Sequence, residues 1–116
     1  MRTQDQSLSV VPAADQVETA PVSRRRVIQE ASQRAGAAWA QGWFDLLQRE
    51  GRLVTGGWPG TMSEAKGRAR AQVDSSLTRL ALPPVTHEEL NDAARVAYDN
   101  AKSLWLGRRV REEGLP

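Results

Sequence analysis

The chain has 116 residues, with 16 Lys or Arg against 14 Asp or Glu, and it contains no cysteine. The lack of cysteine excludes disulfide scaffolds and metal sites built from thiolates. The length allows one domain that buries only about two-thirds of its surface, so a binding partner would add stability.

Residues 1–22 are predicted to be a disordered tail, because they are polar, contain two prolines and lack hydrophobic periodicity. The short apolar run Leu8–Pro12 is either a linear docking motif or a chance cluster. Neither the tail nor any later segment is apolar enough for a signal peptide or a membrane span. We therefore expect a soluble, cytoplasmic protein that makes no contact with a membrane.

The first helix is predicted over residues 23–50. Apolar side chains recur there at steps of three and four residues, which places them on one face. That face consists of Ile28, Ala31, Ala35, Trp39, Trp43 and Leu46, widened by Leu47. Ser23 is the predicted N-cap, with Thr19 as the alternative, and Gly51 suits the end.

The second helix is predicted over residues 62–81. The preceding segment, GGWPGT, offers glycines before a helix N-terminus, where free amides attract anions. It lacks the lysine of a nucleotide-binding loop. A structural interpretation is favoured instead: Pro59 and Gly60 form a type II turn, and Trp58 packs on the core. Thr61 caps the helix, and Glu64 completes a capping box with it.

The third helix has the clearest start, since VTHEEL supplies Thr86 as N-cap and Glu89 three residues later. It covers residues 87–106 or extends slightly further, ending at Gly107 or Gly114. No segment alternates with a period of two. The predicted fold is all-α: residues 23–116 form a small three-helix bundle after the tail.

Catalytic chemistry has little support in this sequence. His87 is the only histidine and lies in the first turn of the third helix, with no second histidine or cysteine to act as a ligand or nucleophile. We expect no catalytic residues, no metal, no cofactor and no enzymatic activity.

Two basic runs are candidate contacts for nucleic-acid phosphates or for an acidic protein. They are Arg24, Arg25 and Arg26 at the start of the first helix, and Lys66, Arg68 and Arg70 in the second. The net charge outside the tail is only modestly positive, which is compatible with nucleic acid but does not demand it. Solvated surface charge is the alternative explanation.

Apolar residues also lie on the sides of the first and third helices that face away from the predicted core. They are Phe44, Ala37, Ala40, Val96, Leu106 and Val110. Because a three-helix bundle cannot easily bury both sides of two helices, these residues predict a second packing surface. We therefore expect a non-enzymatic, regulatory protein-interaction module that binds a protein partner or forms a homodimer; the alternative is a DNA- or RNA-binding regulator.

Overall fold

The computed structural model describes residues 23–114; the predicted tail and its apolar run lie outside the described residues. Three helices make up the fold: α1 (Arg24–Arg49), α2 (Met62–Arg79) and α3 (His87–Glu112). Each helix packs against the other two, and no strand occurs between residues 23 and 114. The predicted all-α three-helix bundle is confirmed.

Each helix begins at a predicted capping residue. The Ser23 hydroxyl accepts a backbone N–H from the first turn of α1, so the later of the two predicted starts is correct. Thr61 and Thr86 form complete capping boxes with Glu64 and Glu89. In each box the threonine hydroxyl accepts a hydrogen bond from the glutamate backbone N–H, and the glutamate carboxylate accepts one from the threonine backbone N–H. Two backbone donors that have no partner within the helix are thereby satisfied.

The helices end in left-handed residues. Gly51 (φ 67°) follows α1, and Ala81 (φ 57°) follows α2. After each, the next backbone N–H donates to a carbonyl five residues earlier, at 2.8 and 2.9 Å, which is the Schellman pattern. The third helix runs to Glu112, two residues before Gly114 (φ 73°), so the later of its two predicted ends is correct.

Cross-helix contacts fix the topology. Arg24 pairs with Glu89 near the starts of α1 and α3, and Phe44 stacks on Trp105 near their ends, so these helices run in the same direction. Arg34 in the middle of α1 donates to Ser76 near the end of α2, so α2 runs in the opposite direction. The bundle is up-down-up.

The core divides into two clusters along the bundle axis. The alanine half contains Ile28, Ala31, Ala35, Ala69, Val73, Leu77, Leu90, Ala93 and Ala97. The tryptophan half contains Trp39, Ala40, Phe44, Leu47, Val54, Trp58, Ala65, Ala94, Ala101 and Trp105. The α1–α2 connection ends beside the tryptophan half and contributes Val54 and Trp58 to it.

Two glycines are required by close approach. A Cβ on Gly36 would lie 2.4 Å from the Ala97 carbonyl oxygen, so α1 and α3 can meet there only without a side chain. A Cβ on Gly60 would lie 2.4 Å from the ring of Trp39.

Gly60 does not have the positive φ that the predicted type II turn requires, so that prediction is wrong. The left-handed residue of the connection is Gly56 (φ 71°).

Candidate functional site

The first basic residue of α1 has a structural role. The Arg24 guanidinium bonds both carboxylate oxygens of Glu89 at 2.9 Å and the carbonyl oxygens of Pro83 and Pro84 at 2.8 and 2.9 Å. These bonds tie the start of α1 to the α2–α3 connection. The hydrogen bonds from Arg24 and from the Thr86 backbone lower the pKa of Glu89 from 4.5 to about 2. Arg24 is therefore already engaged within the fold.

The other two residues of this run are exposed. Arg26 pairs with Glu30 one turn later at 3.0 Å, in a solvent-exposed contact of the kind that contributes little stability. Arg25 lines a groove of about 590 Å³ between the first halves of α1 and α3. Only Arg25 of the three forms no ion pair within residues 23–114.

The second basic run is divided between two sides of α2. The Arg68 guanidinium lies 5.9 Å from the ring centroid of Trp39, on the side facing α1. Helical geometry turns the chain by about 200° over two residues, so Lys66 and Arg70 lie on the opposite side. Sequence neighbours that were predicted to act together therefore do not share a face.

The two basic runs also lie at different positions along the bundle axis. Arg24 contacts the α2–α3 connection, whereas Arg68 is level with Trp39, about 22 Å further along α1 at 1.5 Å per residue. The residues proposed from sequence as phosphate contacts do not form one continuous basic surface.

Two of the predicted interface residues are buried in the core. Ala40 is 0% and Phe44 8% exposed, so the expectation that they form a surplus outer surface is wrong. Phe44 stacks on Trp105 with ring centroids 6.1 Å apart, and the Arg108 guanidinium covers its ring. The physical reason is that α1 packs against both α2 and α3 and needs two apolar sides. A single apolar side on α1 was predicted.

The remaining four predicted interface residues do not converge on one patch. Ala37 is exposed, and Val110 is 37% exposed near the end of α3. Val96 lines the groove between the first halves of α1 and α3. Leu106 is half-buried against the tryptophan half, about 15 Å further along the same helix.

A different surface surrounds Trp43, which was predicted to belong to the core. Trp39, Trp58 and Trp105 are buried, but Trp43 is only half-buried, with its ring edge-on to Trp105 at a centroid distance of 6.4 Å. Trp43 separates two clefts. One, of about 300 Å³, is lined by Trp39, Gly42, Trp43, Leu46, Arg49, Glu64 and Arg68. The other, of about 470 Å³, is lined by Trp43, Leu47, Arg52, Leu53, Thr55, Gly57, Pro59 and Trp105. These two clefts and their lining residues are called the Trp43 surface below.

The connection after α1 is anchored so that Leu53 stays exposed. The Val54 N–H donates to Glu112 at 2.7 Å, and the indole of Trp105 and the guanidinium of Arg109 both donate to the Gly56 carbonyl. Val54 is 2% exposed and its neighbour Leu53 is 63% exposed. Successive residues of an extended segment face opposite sides, so burying Val54 turns Leu53 outward.

The Trp43 surface carries positive charge. Among residues 23–114, neither Arg49 nor Arg68 forms an ion pair, and Arg52 pairs with Glu50. Glu64 is the single carboxylate among the lining residues, so the arginines outnumber it three to one. The positive end of the α2 dipole adds to the field in the same region.

No metal or catalytic cluster accompanies this surface in the described part of the chain. Within residues 23–114, no group of three or more His, Asp or Glu side chains could hold a metal ion. His87 is exposed at the first residue of α3. No helix in the same range is long and apolar enough to cross a bilayer.

Comparison with protein-family models, with curated proteins and with solved structures gave no match to this chain.

Proposed function

We propose that this protein is a non-enzymatic helical interaction module. It binds either another protein or a second copy of itself through the Trp43 surface. One observation carries the proposal: a half-buried tryptophan lies between two clefts, next to an exposed leucine and two arginines that form no ion pair within residues 23–114. Trp and Arg are the side chains most often found at energetically dominant positions of protein interfaces.

The chemistry of the surface favours an acidic partner. Arg49 and Arg68 lie on one side of Trp43, and Arg52 lies on the other. Rim charges of one sign accelerate encounter with a surface of opposite charge, whereas the apolar centre supplies most of the affinity. We expect the partner to insert apolar side chains beside Trp43 and to present carboxylates to these arginines.

The test compares Leu53→Asp with Leu104→Asp. Both leucines are exposed, at 63% and 40%, but only Leu53 lines a cleft beside Trp43. Proteins captured from host extract by the immobilised chain should be lost with Leu53→Asp and retained with Leu104→Asp. Sedimentation of the purified variants should show the same contrast if the partner is a second copy.

Circular dichroism provides the control for folding, and both variants should remain as helical as the parent. Equal capture and equal sedimentation by Leu53→Asp and the parent would contradict the assignment of this surface.

Nucleic-acid binding is the second candidate, supported by the basic residues Arg25, Arg49 and Arg68, which have no ion-pair partners within residues 23–114. It is the weaker one because Arg24 is engaged by Glu89 and the second run is split across α2. Binding to duplex DNA or to RNA would weaken steeply with salt, since each neutralised phosphate releases counterions. Absence of retention on either at low salt would remove this candidate.

A further inference from the structure

Residues 5–18 combine apolar and acidic side chains. The run Leu8–Pro12 is flanked by Asp5 on one side and by Asp15 and Glu18 on the other, and only Arg2 opposes these acids within residues 1–22. This chemistry is complementary to the Trp43 surface, where two apolar clefts are flanked by arginines.

We propose that the Trp43 surface is a binding site for an acidic, apolar linear segment, and that residues 5–18 of the same chain are such a segment. This inference rests on the proposed function, because it assigns a ligand to the same surface. An external partner would then have to displace the chain's own segment.

Charge distinguishes this surface from the larger groove between α1 and α3. That groove is closer to Ser23, but the charges in its lining balance, because Arg24 and Arg25 are matched by Glu89 and Asp92. An acidic segment would meet as many carboxylates as arginines there. The lining beside Trp43 instead holds Arg49, Arg52 and Arg68 against the single carboxylate of Glu64.

The chain length allows the contact. Trp43 lies about 28 Å along α1 from Arg24, at 1.5 Å per residue. An extended chain covers about 3.3 Å per residue, so the segment from Ser23 back to Val11 spans about 40 Å. The segment therefore reaches the surface with length to spare.

The spacing of apolar side chains in the segment also fits. In an extended chain, Leu8 and Val10 point to the same side with their Cα atoms about 7 Å apart. Apolar atoms pack best at about 3.5–4.0 Å, so two side chains on either side of an aromatic ring need a separation of this size. Leu8 and Val10 would each occupy one of the clefts that Trp43 separates.

Because the chain has no cysteine, engineered cysteine pairs give an unambiguous test in the full-length protein. Gln6→Cys leaves the apolar side chains of the segment intact and, in an extended chain, lies on the same side as Leu8 and Val10. It is combined with Thr55→Cys, whose position is exposed and lines one cleft beside Trp43. The rate of disulfide formation in a glutathione buffer is followed on non-reducing gels.

The matched control combines Gln6→Cys with Asn91→Cys. Asn91 is exposed in the first turns of α3, at the end of the bundle where Arg24 meets Glu89 and therefore nearer to Ser23. In an undocked tether, the thiol introduced by Gln6→Cys would react preferentially at the nearer position. Docking raises the effective concentration of the segment's thiol near position 55. We therefore expect the intramolecular disulfide of the Thr55→Cys pair to form at least about ten times faster than that of the Asn91→Cys pair.

Charge reversal provides a second arm. Adding Arg49→Glu and Arg68→Glu to the Thr55→Cys pair should slow disulfide formation and leave the Asn91→Cys pair unchanged. Equal rates for the two pairs, or a disulfide at position 55 formed only between two copies, would overturn docking within one chain.

This outcome can be separated from that of the proposed function. If capture depends on Leu53 but the Thr55→Cys pair closes no faster than the control, an external partner uses the surface and the assigned segment is wrong. If the Thr55→Cys pair closes faster but capture does not depend on Leu53, the segment binds there and the external partner does not.

Discussion

The two halves of this bundle are built from side chains of different size. In the alanine half, small residues from all three helices make up most of the buried core, and Leu82 and Val85 of the α2–α3 connection pack against it. In the tryptophan half, large rings fill the core, and Val54 and Trp58 of the α1–α2 connection are buried within it. Both halves leave open clefts, but aromatic rings line only those of the tryptophan half. The same packing that stabilises this half also creates its candidate binding surface.

The largest expected effect is the loss of unfolding free energy when a buried ring of the tryptophan half is removed, compared with removal of a half-buried ring. Trp39 is 2% exposed and contacts both Trp58 and Tyr98, so Trp39→Ala should lower the free energy of unfolding by about 3–5 kcal/mol. Trp43→Ala should cost clearly less, because part of that ring already contacts solvent. Urea unfolding followed by circular dichroism measures both. Equal losses would show that Trp43 belongs to the core after all.

The next prediction addresses the close approach in the bundle. Gly36→Ala places a Cβ against the Ala97 carbonyl, and we expect a net loss of about 1–3 kcal/mol even though alanine favours helix. The control is Gly42→Ala in the same helix, where nothing lies within 4 Å of the added Cβ. That variant should gain about 0.5–1 kcal/mol from helix propensity alone. Two variants with the same sign would contradict the assigned contact.

A smaller change in unfolding free energy is expected from substitutions at the left-handed residues that follow α1 and α2. Gly51 and Ala81 occupy the same left-handed position after α1 and α2, but only glycine adopts it without strain. Ala81→Gly should therefore raise the free energy of unfolding by up to about 1 kcal/mol, and Gly51→Ala should lower it by a similar amount. Thermal unfolding of both variants beside the parent checks the opposite signs. A loss of stability in Ala81→Gly would argue against the observed geometry.

The sequence predicted the helices well because their signals are local. Thr61 with Glu64 and Thr86 with Glu89 are capping boxes that require only neighbouring residues, and each proved correct. The side that a helix presents to a second neighbour is not local. Phe44 was predicted to be outside because a single apolar stripe cannot reveal that α1 contacts two helices.

The candidate site was the least predictable part for the same reason. Trp43 continues the apolar stripe of Trp39, and nothing in that periodicity indicates that its ring borders two clefts. The exposure of Leu53 depends on bonds from Val54 to Glu112 and from Trp105 to Gly56, which join residues 58 and 49 positions apart. Only the fold brings these groups together.

The smallest predicted effect is a pH dependence at the end of the alanine half. The pKa of Glu89 is about 2 in the folded chain, below its ordinary 4.5, so its contribution to stability is complete above about pH 4.5 and is lost as the pH falls toward 2. Glu89→Gln keeps a capping acceptor but removes the charge that Arg24 binds.

The difference in unfolding free energy between parent and Glu89→Gln should therefore shrink between pH 4.5 and 2. The exposed pair of Arg26 and Glu30 provides the control, and at pH 7 Glu30→Gln should lower the free energy of unfolding by less than about 1 kcal/mol. A parent-to-variant difference that is constant with pH would contradict the assigned role of the Arg24–Glu89 contact.

Tryptophan fluorescence in the full-length chain tests whether the Trp43 surface binds an apolar segment. Trp43 is the half-buried tryptophan of the four, so a docked segment should shield it from acrylamide. Leu8→Asp with Val10→Asp should increase quenching, and Trp43→Phe should remove this increase. Identical quenching of the parent and the doubly substituted chain would rule out docking of this segment.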